Sequence, residues 1–150
     1  MKKFSFSLER VLTYKEQVEQ SLRNEHGQAV KKVRDKEEEI SCLEDEFVQF
    51  RESAGSDGIR QVSAARLRGR SDYMNLLIGR IGREKKALGE LKKEEEQKRE
   101  AVIHAKQETQ SIQMLRDKKK QEYDAAEAKA RELEIEEFVS NRMISAKGKD

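Results

Sequence analysis

The chain has 150 residues, 41% charged, 35% hydrophobic and 5% aromatic, with neither proline nor tryptophan. A compact domain runs nearer half apolar and a quarter charged, so a sizeable core is excluded. The formal net charge of +2 makes no bulk demand for nucleic acid or an anionic membrane. Disorder would bring proline and low-complexity tracts. Here apolar residues recur at helical spacing, which favours long helices burying one narrow seam. The single cysteine, Cys42, excludes an intrachain disulfide and fits a reducing compartment. No run approaches the ~18 apolar residues of a membrane helix, and the opening MKKFSFSLER lacks a signal-peptide core. A cytoplasmic location is expected.

A first helix is expected over 5–52. Ser7 is its candidate N-cap, with Phe6 and Val11 placed to close a hydrophobic staple. One heptad register runs from Leu8 through Leu12, His26, Ala29, Lys36, Ile40 and Leu43 to Phe50, and nine of its thirteen seam slots are apolar. The segment Ser53-Ala-Gly-Ser-Asp-Gly58 is the strongest turn signal in the chain and opens a loop expected over 53–62.

A second helix is expected over 63–145, capped at Ser63 and roughly 120 Å long. Its register begins at Leu67 and Arg70 and keeps phase to Ala126, Ala130 and Leu133, with thirteen of twenty slots apolar. Gly27, Gly69, Gly79, Gly82 and Gly89 all fall off the seam. The three between 79 and 89 are tolerated on a solvated face, or mark a soft stretch or one closely approached by a partner.

The fold class that follows is all-α: a long antiparallel two-helix coiled-coil hairpin with an overhanging C-terminal helix. With a turn near Gly58, Phe50 is expected opposite Leu67, Phe47 opposite Arg70, Leu43 opposite Met74, and Ile40 opposite Leu77. Further along, Ala29 is expected opposite Leu88, Glu19 opposite Lys98, and Leu8 opposite Thr109. Charge blocks agree: residues 34–57 carry nine acids and three bases, residues 59–93 ten bases and three acids. A hairpin sets these side by side, whereas a parallel dimer stacks like on like. The overhang, about thirty-five residues, carries a bare stripe that frays or docks elsewhere.

Catalytic signals are missing, and no cofactor or metal is expected. There is no phosphate loop, His26 and His104 lack second ligands at metal spacing, and acidic neighbours Glu44 and Asp45 leave Cys42 unactivated. An apolar group does stand out. Leu76 lies off the seam beside Leu77, with Tyr73, Ile78 and Ile81 near it. Its readings are a face covered by the loop, a wide seam, or a helix-face docking site.

The opening Phe4-x-Phe6-x-Leu8-Glu9-x-Val11-Leu12-x-Tyr14-Lys15 resembles the N-terminus of the flagellar export protein FliJ family. The Gly/Ser loop near one third of the chain, Tyr73-x-x-Leu76-Leu77 and Leu133-Glu-Ile-Glu-Glu-Phe138 also resemble that family. The resemblance implies a non-enzymatic component of the flagellar type III export apparatus, with a hairpin similar to the stalk subunit of rotary ATPases. It implies three partners: the ring of the export ATPase FliI, the cytoplasmic domain of the export-gate protein FlhA, and flagellar export chaperones. It further implies a cytoplasmic protein peripheral to the inner face of the cell membrane.

The family's gate-binding pattern places apolar or aromatic residues at +3, +4, +7 and +11 from the tyrosine. Leu76 and Leu77 match; Arg80 and Glu84 depart, and Ile81 takes over by a small rotation. The expected gate contacts are therefore Tyr73, Leu76, Leu77, Arg80 and Ile81. The expected ATPase contacts are at the chain ends: Phe4, Phe6, Leu8, Tyr123, Ala126, Ala130, Leu133 and Phe138. Alternative readings are the stalk of a virulence secretion system and a generic coiled-coil scaffold. A homodimer through the overhang is a further expected association, and nucleic-acid binding through Arg66, Arg68 and Arg70 is disfavoured.

Overall fold

A computed structural model describes residues 2–57 and 63–148. Two helices account for nearly all of them: α1, Glu9–Asp57, and α2, Ala64–Lys147. The chain is an all-α helical hairpin. It divides into two compact units, one of Met1–Glu19 with Ala105–Asp150, the other of Gln20–His104.

The heptad reading holds on both helices. Every seam slot from Leu12 to Phe50 and from Arg70 to Ile112 is buried or half-buried. In the 20–104 unit the innermost side chains are Ala29, Ile40, Leu43 and Leu77. In the other they are Phe6, Leu12, Ala105 and Thr109, whose hydroxyl donates back to the Ala105 carbonyl at 3.0 Å. Leu12 and Leu77 are each 2% exposed, and burying such a side chain stabilises by about 1.5–3 kcal/mol.

The helix limits differ from expectation at all four ends. Helix α1 starts at Glu9, not residue 5: a turn closed by Glu9 N–H on the Phe6 carbonyl, at 3.2 Å, precedes it. Ser7 lies within that turn rather than at the cap. At its other end α1 continues through 53–57, because one glycine costs only about 1 kcal/mol in a helix; residues 58–62, with Gly58, lie outside the described residues. Helix α2 starts one residue late and ends two residues late, at Lys147. Ser63 does cap it, accepting from Arg66 N–H at 3.3 Å.

The facing pairs are displaced by about one seam layer. In the 20–104 unit His26 meets Glu95 at 2.7 Å and Lys36 meets Glu84 at 2.6 Å. The Phe50 ring meets Tyr73, with centroids 4.7 Å apart. Leu67, expected against Phe50, is 54% exposed, and Lys98 pairs with Glu25 at 2.8 Å, not with Glu19. The physical reason is charge. The expected alignment sets Lys36 and His26 against Ile81 and Leu91; moving one layer puts an acid opposite each. In the other unit Glu9 pairs with Arg116 at 3.3 Å and Lys15 with Glu108 at 2.6 Å. This also displaces the expected pairing of Leu8 with Thr109. The acidic α1 block does face the basic α2 block, through Glu44–Lys85 at 2.6 Å and Glu37–Lys92 at 3.3 Å.

The hydrogen bond from Lys36 holds the Glu84 carboxyl below its ordinary range. Hydrogen bonds to Glu39 and then Glu84 raise Lys36. A depressed acid contributes stability above its unfolded pKa and loses it as pH falls through the folded value. A raised lysine contributes below its unfolded pKa and loses it as pH rises through the folded one. The pair's contribution is thus flat across neutral pH and erodes at both extremes. Glu84→Ala is expected to lower the thermal midpoint at pH 7 and to abolish this pair's share of the acid-side loss below about pH 4. Replacing both Lys36 and Glu84 with leucine is expected to raise the midpoint by about 2–4 °C. Circular dichroism melts across pH measure both.

Candidate docking surfaces

On the 20–104 unit the expected gate contacts separate into two groups. Leu77 points into the seam at 2% exposed, Ile81 is half-buried, and Leu76 faces solvent at 61%. Helical spacing explains this: Leu77 shares the seam with Met74 and Ile81, and Leu76, one residue earlier, is turned about 100° away. Tyr73 is clipped to α1. Its hydroxyl donates to the Glu46 carboxylate, which raises its pKa, and its ring stands edge-on to Phe50. Arg80, one turn beyond Leu76, is half-exposed and 4.0 Å from Glu39.

The result is a strip in which Leu76 stands between a fixed aromatic ring and a guanidinium. Ile78, 54% exposed, is turned about 200° from Leu76 and lies outside this strip. Such a strip suits a partner with apolar and acidic groups. Gly82 and Gly89 nearby are open: an added Cβ meets nothing within 4 Å at either. The sequence allowed close approach there, and among the described residues none occurs.

The unit of Met1–Glu19 and Ala105–Asp150 holds the expected ATPase contacts, and here the sequence reading missed an element. Residues ahead of α1 run back along α2 as a strap. The Tyr123 hydroxyl donates to the Lys2 carbonyl at 2.7 Å, and the Phe4 and Tyr123 rings lie 5.5 Å apart. Lys120 Nζ sits 5.3 Å from the Phe4 centroid and 5.2 Å from that of Tyr123. Phe6 is buried, and Leu8 is 37% exposed. A cavity of about 630 Å³ opens between strap and helix, walled by Phe4, Leu115, Lys119 and Tyr123.

The strap is not periodic, so a heptad scan does not register it; the clue was two phenylalanines ahead of the first cap. Because the strap reaches Tyr123, the helix without α1 or strap beside it is Asp124–Lys147, 24 residues, shorter than expected. Along it Ala126 is exposed, Ala130 half-buried, Leu133 53% exposed and Phe138 65% exposed. Ile135, Val139, Met143 and Ile144 are exposed as well. Among the described residues no three His, Cys, Asp or Glu side chains cluster to hold a metal ion. Among them, too, no helix is long and apolar enough to cross a membrane.

The family model for the flagellar FliJ protein matches residues 4–148, all but five residues at the two ends. The chain belongs to the FliJ family. No curated protein and no solved structure matches it significantly. Membership assigns this FliJ-family chain a flagellar export-related role within a non-enzymatic family.

The strap has a direct check. Tyr123→Phe removes only the hydroxyl on Lys2, and Phe4→Ala removes the ring contact. Each is expected to speed tryptic cleavage after Lys2 and Lys3 about three- to tenfold without loss of helix content, because local opening then costs less.

Proposed function

We propose that the protein is a stalk-like coupling factor in flagellar export, joining the FliI ATPase ring to the cytoplasmic domain of the FlhA gate and escorting export chaperones. One observation carries the reading. Large apolar side chains stand exposed at positions that the hairpin does not use, Leu76 and a run from Leu133 to Ile144 among them. Exposed apolar groups at such density mark interaction surfaces.

The Leu76 strip, with Arg80 beside it, is assigned to the gate. Tyr73 contributes by fixing the strip rather than by free contact, since Glu46 holds its hydroxyl, and Leu77 and Ile81 support Leu76 from the seam. The ATPase contact is assigned to the chain-end surface of Phe4, Phe6, Leu8, Tyr123, Ala126, Ala130, Leu133 and Phe138. With these roles the protein works in the cytoplasm, held peripherally at the inner face of the cell membrane by its partners.

Binding measurements on full-length variants test the assignment. Leu76→Asp is expected to weaken gate binding at least tenfold, a loss of about 1.4 kcal/mol, with helix content and ATPase binding intact. Phe138→Asp is expected to do the reverse. Unchanged affinity for both partners in both variants contradicts the assignment.

A further inference from the structure

The seam of α2 does not end where α1 and the strap end. Its three-four spacing continues from Lys119 through Tyr123, Ala126, Ala130 and Leu133 to Glu137. Read backwards these six positions complement themselves. In an antiparallel coiled coil, position a faces d, and alignment about a centre at residue 128 gives three kinds of layer: Lys119 against Glu137, Tyr123 against Leu133, and Ala126 against Ala130. Each occurs twice, as a twofold axis requires.

We propose that a second copy of this chain covers this face, antiparallel, with the dyad at residue 128. Three observations on the unit of Met1–Glu19 and Ala105–Asp150 favour a second copy. First, the face is open except at Tyr123, where the strap's Phe4 lies, and at half-buried Ala130: Lys119, Ala126, Leu133 and Glu137 are exposed. Second, its charges complement each other at the spacing the dyad needs. Lys119 and Lys120 lie nine and eight residues before the centre, and Glu137 and Glu136 nine and eight residues after it. Third, the small side chains sit at the crossing, where Ala126 and Ala130 let the two backbones approach most closely.

The apolar cavity beside Lys119 and Tyr123 fits the same arrangement, for the dyad carries the partner's Leu133 and Glu137 towards it. The hairpin resolves its own seam charges the same way, setting Lys36 on Glu84 at 2.6 Å. Glu127 and Lys129 each approach their own copy near the axis, which keeps the association weak and reversible. The surface overlaps the ATPase assignment at Tyr123, Ala126, Ala130 and Leu133, so pairing and ATPase binding exclude each other. The pairing itself does not depend on that assignment, because it is measured on this protein alone.

Sedimentation equilibrium of the full-length chain, from about 5 to about 200 µM, reads the association. The mass is expected to climb from one chain towards two. Leu133→Asp, and Lys119→Glu or Glu137→Lys singly, are expected to hold it at one chain with unchanged circular dichroism. The double exchange Lys119→Glu with Glu137→Lys restores charge complementarity only if the helices run antiparallel, and is expected to recover the dimer. Phe138→Asp lies off the face and is expected to leave the mass curve in place, whatever it does to ATPase binding. A single-chain mass throughout, association indifferent to Leu133→Asp, or no recovery in the double exchange each overturns the proposal.

Discussion

The structure depends on a seam about one side chain wide that must hold with few apolar residues and several charges inside it. A chain that is 41% charged cannot bury a broad core. It brings together small and branched side chains such as Ala29, Ile40, Leu43 and Leu77, and pairs the charged ones across the same line. Apolar layers supply attraction that is nearly indifferent to alignment. Charged layers supply selection, because an ion held in a seam without its partner is costly.

That division explains how much was legible in the sequence. The helices and their seam faces were, down to the half-burial of Glu84, Glu95 and Lys98, since heptad spacing reports faces directly. The alignment of the two helices was misread because seam layers recur every three or four residues. A slip of one layer leaves apolar on apolar, so the apolar pattern does not choose between alignments. The deciding signal was in plain view: only the shifted alignment gives Lys36 and His26 an acid apiece. The turn signal at 53–58 misled because local glycine content was weighed against nothing, while α1 had seam contacts up to Phe50 to carry it onward.

The exposed apolar positions were legible for the complementary reason. A large apolar residue off the seam, such as Leu76, has no use in the hairpin and stays exposed. The tether on Tyr73 was not legible, since Glu46 is one of many acids on α1 and only the three-dimensional alignment singles it out. Nor was the strap. Phe4 and Phe6 could equally have been read as free anchors; they lie against α2 because Tyr123 offers both a ring and a hydroxyl there.

Selection by charged layers is tested most directly by cross-linking within one chain. In a Cys42→Ser background, which leaves Lys36 and Glu84 in place, cysteines at positions 43 and 77 should close into an intramolecular disulfide under mild oxidation, and cysteines at 43 and 74 should close far more slowly. Preferential closure of the 43–74 pair, or cross-links only between chains, contradicts the account.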